Sequence, residues 1–415
     1  MPTFRNILTS LRNSKVLENY SYMTALQIAS ALIGLVIYPI VIRRLGAEQY
    51  GLYAFTLSIV LYFQIVIDGG FSFPAVKAVS QNRDNPQRLS EIFSTVFIAK
   101  SVLFVLMGLL ATLILFCVPM LKTHGLLFGI IFLQNGIDIL FPQWYFQGMK
   151  QMKVPTIINL ICRIIQIPLV IWLIHNENDV IIYAGIVSGT MLVGAIYAII
   201  YTLTHGIRFC KPASSQLVSL FKDGIPFFLT DLAGNVKERV LTNLIGVYLG
   251  MREVAIYDLA TKVVQIPRLF TQSINKALFP EIVVKATKER VQKVLHYERW
   301  IGIMMSIAVI AVGYWVIWIL GGKDMLDAYP LAAILSLSIY TWLVVGAYLQ
   351  FVFIPSGHYA LVTWNQVIAL ISCLGICIPW LYIGGGVYAI VIALTLSGFV
   401  EMAFCHILSK KKELL

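Results

Sequence analysis

The sequence predicts an all-α polytopic membrane protein: twelve transmembrane helices in two pseudo-symmetric six-helix lobes, residues 1–210 and 211–415, around a central cavity. Three observations predict it. Of the 415 residues 59% are hydrophobic and only 12% charged, with a mean hydropathy of +0.83, far from the balance of a soluble globular domain. Apolar runs long enough to cross a bilayer recur along the whole chain with short connections between them. A motif near residue 45 also returns, in order, near residue 249.

The same composition excludes other classes. A net charge of +11 sits largely in short loops between apolar runs, as membrane topology demands, so no nucleic-acid partner is expected. Cys117, Cys162, Cys210, Cys373, Cys377 and Cys405 mostly lie in or beside apolar segments, which argues against a disulfide framework. Cys373 and Cys377 share a helix face, but no histidine lies near them in sequence; they read as buried small hydrophobes, not as half a metal site. The six histidines fall in loops or near helix ends, so no buried proton relay is evident. No Gly-x-x-x-x-Gly-Lys-Ser/Thr loop occurs, and neither ATP hydrolysis, a cofactor nor an enzymatic activity is expected.

Taken in order, residues 1–18 lack the continuous apolar core and cleavage site of a signal peptide. Phe4, Ile7, Leu8 and Leu11 form one stripe with Arg5, Arg12 and Lys15 elsewhere, the pattern of a short helix on an anionic membrane surface or of a disordered basic leader. Twelve spans follow, at about 20–42, 50–76, 92–118, 126–147, 154–174, 180–204, 225–247, 254–280, 298–320, 328–352, 361–383 and 386–408. Placing the N-terminus inside gathers most Lys and Arg into 77–91, 148–153, 205–224, 281–297 and the Lys410-Lys411-Lys412 tail, so both termini are expected in the cytoplasm.

Polar groups interrupt these spans at helical spacing. Gln64 and Asp68 fall in the second span, Lys100 in the third, Gln134, Asn135 and Asp138 in the fourth, and Asn159, Arg163 and Gln166 in the fifth. In the seventh, Asp231, Asn235, Arg239 and Asn243 recur every four residues. In the eighth, Asp258, Lys262, Gln265, Arg268, Gln272 and Lys276 step by threes and fours. A charge at mid-bilayer costs about 2.5–3.5 kcal/mol on insertion scales, so Lys237, Arg239, Lys262 and Arg268 facing lipid would together cost roughly 10 kcal/mol or more. Either Asp231 and Asp258 neutralise neighbouring cations inside a packed bundle, or the stripes line a water-filled cavity. Acids nearby in sequence do not balance all these cations, which favours a cavity of surplus positive charge. The last spans carry less, Gln350, Asn365, Gln366 and Glu401, so the site is expected mainly from spans 1, 2, 4, 5, 7 and 8.

The repeat supplies the symmetry. Leu45-Gly46-Ala47-Glu48-Gln49-Tyr50-Gly51-Leu52-Tyr53 matches Leu249-Gly250-Met251-Arg252-Glu253-Val254-Ala255-Ile256-Tyr257 in its Leu-Gly opening and closing Tyr, and Phe73-Pro74 answers Phe279-Pro280. Each Phe-Pro pair is expected to end its span before a basic loop. Six spans separate the copies, so they share an orientation, with an axis along the membrane normal.

Tyr38-Pro39, Ile42-Arg43-Arg44-Leu45-Gly46 and Tyr50-Gly51 at the first hairpin, Gly224-Ile225-Pro226-Phe227 opening span 7, and Ile256-Tyr257 with Ala277-Leu278-Phe279-Pro280 bounding span 8 resemble the Wzx-type polysaccharide flippases. These belong to the multidrug/oligosaccharidyl-lipid/polysaccharide exporter superfamily, and the similarity covers nearly the whole chain. The resemblance implies two lobes that rock to open a central cavity alternately to either side of the bacterial inner membrane. The implied cargo is a polyprenyl-pyrophosphate-linked oligosaccharide such as an O-antigen or capsule repeat unit, with membrane lipids and a polysaccharide polymerase and chain-length machinery as partners. The charges agree, since Arg offers bidentate donors to phosphate oxygens. Arg163, Arg239, Lys262 and Arg268 are expected to contact the head group, and Arg43, beside Arg44, either the cavity mouth or the surface. Asp68, Asp138, Asp231 and Asp258 are expected to exchange salt bridges between states or to couple an ion. A cation antiporter would favour an acidic cavity, a lipid II flippase usually carries further helices, and a membrane polysaccharide polymerase would show a large extramembrane domain or clustered metal-binding carboxylates.

Overall fold

A computed structural model describes residues 15–117, 119–284 and 288–412. The surface-helix reading of Phe4, Ile7, Leu8 and Leu11 lies outside the described residues, as do the side chains of Gln272, Lys276, Phe279 and Pro280. The described residues form helices and connecting turns without strands: α1 (Lys15–Asp68), α2 (Ser72–Gln81), α3 (Pro86–Cys117), α4 (Pro119–Thr123), α5 (Gly125–Leu140), α6 (Gln143–Gly148), α7 (Lys153–Leu173), α8 (Val180–Thr204), α9 (Ser214–Tyr248), α10 (Met251–Val284), α11 (Lys288–Gly321), α12 (Ala328–Ala347), α13 (Tyr359–Tyr382) and α14 (Gly386–Lys411). A π-helical turn, Tyr348–Phe353, extends α12.

Among the described residues nine helical segments are long and apolar enough to cross a membrane, and the chain is an integral membrane protein. The expected count of twelve rests on three more stretches: the first half of α1, and the charge-bearing α9 and α10. Glycines set the breaks. Within α1, Gly46 takes φ 72° and separates the first two expected spans. At the start of α10, Gly250 takes φ 105°. Both are left-handed conformations that a side chain would strain, and they occupy matching positions of the repeat.

One expected boundary is corrected. The second span does not run to residue 76: α1 stops at Asp68 because Gly69 and Gly70 turn the chain at φ 55° and 68°. Phe73-Pro74 therefore sit in the separate helix α2 and do not end the span. The fourth span, Gly125–Gly148, lies close to the expected 126–147, with a break inside it where α5 ends at Leu140 and Pro142, lacking an N–H, precedes the short α6.

The described residues divide into two compact units, one within 15–45 and 56–232 and the other within 46–55 and 233–412. In the first unit an aromatic core joins α2, α3 and α6: Phe71, Phe93 and Phe146 are fully buried, and the Phe93 ring lies 5.8 Å from Trp144 and 5.9 Å, edge-on, from Tyr145. The Phe73 ring stacks on Phe227 at 5.0 Å. The second unit centres on α12 and its π-helical turn, where Val344, Tyr348, Phe351 and Phe353 pack with Cys405 of α14. Cys373 and Cys377 are fully buried.

Candidate functional site

The first unit holds a polar cavity of about 290 Å³ inside an otherwise apolar helix cluster, lined by Gln64, Gln134, Asn135, Asp138, Gln143, Asn159 and Arg163 together with Leu57, Val60, Leu61, Ile137, Phe141, Val187 and Met191. Helical spacing explains the convergence. Gln134, Asn135 and Asp138 follow one another around α5, and Asn159 and Arg163 stand one turn apart on α7. Gln64 of α1 donates its amide to Asp138 at 2.6 Å, Gln134 donates to the Ser188 hydroxyl at 3.0 Å, and Asn159 donates to the Pro155 carbonyl at 2.9 Å. Asn135 is only 3% exposed, and its Nδ2 has no hydrogen-bond partner among the described residues. Asp138 and Arg163, both expected site residues, are thus brought together; Gln143, which lines the same cavity, was not foreseen because it follows a break that sequence periodicity does not show.

Asp68 belongs to a different cluster of this unit. It is paired with the buried Lys100 and accepts from Ser72 Oγ at 3.1 Å, so it neutralises a cation that would otherwise be stranded in the interior. Asp231 is half-buried in the same unit. Arg44 does not stand free at a cavity mouth: its guanidinium caps the end of α7, donating to the carbonyls of Ile171 and, at 2.6 Å, of Ile174, which satisfies terminal acceptors and complements the helix dipole. Arg43 is exposed.

In the second unit the cations are more fully balanced than the sequence suggests. Lys262 pairs with Asp258 at 2.7 Å, and Tyr50 links the two, donating to Asp258 at 2.6 Å and accepting from Lys262 at 2.7 Å. Tyr50 reaches them because Gly51 lies directly against the Met251 carbonyl and the Ala255 nitrogen. Arg268 donates to Ser338 Oγ at 2.5 Å, faces the Trp342 ring at 5.7 Å and has the Glu238 carboxylate at 4.0 Å. Lys237 pairs with Glu401 at 2.8 Å; the other Glu401 oxygen accepts from Asn365 at 3.2 Å, and Cys405 donates to Asn365 at 3.3 Å. The surplus of positive charge expected from neighbouring residues is therefore reduced by partners distant in sequence. Arg239 differs: it is half-buried on α9 and makes no ion pair or hydrogen bond among the described residues. No cluster of His, Cys, Asp or Glu suited to a metal occurs among the described residues.

Long apolar helices enclosing polar cavities and ion pairs define a membrane protein of transporter architecture, and comparison gives its family. Residues 16–286 match the family described as polysaccharide biosynthesis protein, and the chain belongs to it. A protein of Escherichia coli (strain K12) provisionally named an O-antigen transporter is 24% identical over 279 residues, 67% of this chain and 67% of its own length. One of Shigella dysenteriae with the same provisional name is 24% identical over 262 residues, 61% of this chain and 64% of its own length. Among solved structures, the inward-facing conformation of a multidrug resistance MATE family transporter of the MOP superfamily superposes with a TM-score of 0.73 at 12% identity, over 92% of this chain and 93% of that one. A MOP superfamily transporter from Pyrococcus furiosus, described by the reverse polarity of its binding pocket, gives 0.62 at 12% identity over 95% of both. At such identities the likeness is one of fold.

Proposed function

We propose that this protein is a flippase that carries polyprenyl-pyrophosphate-linked oligosaccharide repeat units across the bacterial inner membrane by alternating access, for O-antigen, capsule or exopolysaccharide synthesis. The observation that carries the reading is the amide-lined cavity, with one carboxylate and one guanidinium, inside a lobe whose outer helices are apolar. Sugar hydroxyls need such a lining to leave water, since an unsatisfied buried polar group costs about 1–3 kcal/mol. Membership of a polysaccharide biosynthesis family supports it, as do relatives named for O-antigen transport.

In this reading Arg239, with Lys262, Arg268 and the exposed Arg43, meets the pyrophosphate, to which guanidinium groups bind in bidentate fashion; Arg163, expected beside them, lines the first unit's cavity and serves the sugar. Asp258 releases Lys262 through Tyr50, while Asp68, Asp138 and Asp231 exchange partners or couple an ion. The termini face the cytoplasm, and a polymerase with its chain-length partner takes the delivered unit. The test is complementation: expressed in bacteria lacking their own oligosaccharide flippase, the chain restores surface polysaccharide and clears lipid-linked repeat units from the cytoplasmic face. Failure across hosts making different repeat units, with insertion verified, would overturn the reading. Uptake of lipid-linked cargo unchanged by collapse of both proton and sodium gradients would remove the ion-coupling role of the carboxylates.

A further inference from the structure

The geometry points to a monosaccharide-selecting site within the first unit: we propose that its polar cavity holds one uncharged sugar ring of the cargo, a reading that rests on the flippase proposal above. Size sets the first limit. A volume of about 290 Å³ lies at the small end of ligand sites and equals the liquid volume of about ten waters, room for one sugar ring and not for an oligosaccharide.

Charge sets the second. Asp138 and Arg163 are the ionisable groups of the lining, one of each sign, so an anionic sugar would leave the carboxylate facing a like charge, and a cationic one the guanidinium. A neutral ring meets neither penalty.

Hydrogen bonding sets the third. Gln64, Gln134, Asn135, Gln143 and Asn159 bring five amides to the lining, each with N–H donors and a C=O acceptor. A bare metal cation or proton cannot accept from the N–H groups; a hydroxyl or acetamido oxygen can. Asp138 accepts from Gln64 on one oxygen and retains lone pairs for further donors. The site thus offers donors and acceptors in one lining, the pairing that sugar hydroxyls, each both donor and acceptor, satisfy. Phe141 and the aliphatic lining cover the ring's C–H face.

The test uses the full chain in lipid nanodiscs and saturation-transfer NMR with methyl hexosides, methyl hexuronosides and glucosamine as free probes, with and without sodium. Saturation transfer to neutral hexosides, and at least tenfold weaker binding of hexuronosides, is expected. The near-isosteric Asp138→Asn, which removes the lining's one carboxylate, should weaken neutral hexosides about tenfold, the scale of one lost buried hydrogen bond, and narrow their advantage over hexuronosides. Equal or tighter binding of hexuronosides, displacement by sodium alone, or no transfer to any sugar would each overturn the proposal; the wild-type comparison decides even where the variant does not fold. Complementation is scored separately. Restored polysaccharide without sugar binding sinks the site and leaves the flippase, whereas sugar binding without restoration does the reverse.

Discussion

Removing Lys237 alone should unfold this protein more readily than removing Lys237 and Glu401 together. The pair lies at 2.8 Å with side-chain exposures of 16% and 10%. At that distance two unit charges attract by about 6 kcal/mol for an effective dielectric of about 20, but withdrawing both from water offsets most of it. Lys237→Met keeps the desolvation of Glu401 and loses the attraction, leaving Asn365 among the described residues to hold the carboxylate; the expected loss is about 3–5 kcal/mol. Lys237→Met with Glu401→Leu removes both charges from an interior that already contains the fully buried Asn365 and Cys405, and should return to within about 1–2 kcal/mol of the parent or exceed it. The assay is reversible unfolding of detergent-solubilised protein, read by tryptophan fluorescence as a double-mutant cycle. Additive losses, with a coupling below about 0.5 kcal/mol, would refute the ion pair as a unit and return Lys237 to a cavity surface.

The other predictions divide structure from transport. Arg239→Ala should leave membrane levels and melting unchanged yet abolish surface polysaccharide, with Arg239→Lys retaining part; full activity of the Ala variant would place Arg239 outside the cargo path. Asp68→Asn strands the buried Lys100 and should cost about 3–5 kcal/mol, a loss that adding Lys100→Met relieves, both measured by thermal unfolding. Arg44→Ala uncaps α7 and should lower stability by roughly 1.5–3 kcal/mol, the scale of hydrogen bonds to a charged group; unchanged melting would argue that water caps those carbonyls equally well.

What the sequence disclosed is what local spacing encodes. Gln134, Asn135, Asp138, Asn159 and Arg163 were legible as polar stripes because three- and four-residue steps put them on shared helix faces, and a charge in an apolar run is costly enough that it usually faces a polar interior or a pathway. Their grouping with Gln64 in one cavity follows from helix packing, which spacing alone does not specify. Charge balance was misjudged for the same reason: Lys237 and Glu401 stand 164 residues apart, so counting acids near each cation left Lys237 unmatched. Tyr50 was visible only as a motif letter; its part in the Asp258–Lys262 cluster depends on how residues 46–55 pack. The break at Gly69-Gly70 was present in the sequence, but the apolar run continues past it into Phe71 and Phe73, and hydropathy does not see φ.

The repeat explains why those ten residues are so constrained. Gly51 and Ala255 occupy the same place in the two copies, and a methyl group built on Gly51 would run into the backbone of Met251 and come within 3.3 Å of the Ala255 nitrogen. Only small residues allow helices so near. Gly46 and Gly250, at matching positions with positive φ, give each copy the same entry. The close approach then carries Tyr50 of the first copy to Asp258 and Lys262 just beyond the second. Gly51→Ala tests this directly. Overpacking of this kind costs about 1–3 kcal/mol, and because the neighbour is backbone it cannot be relieved by a rotamer change; the variant should lose stability and, by withdrawing Tyr50, behave in transport like Tyr50→Phe. A Gly51→Ala protein that melts and transports like the parent would mean that the copies do not meet here.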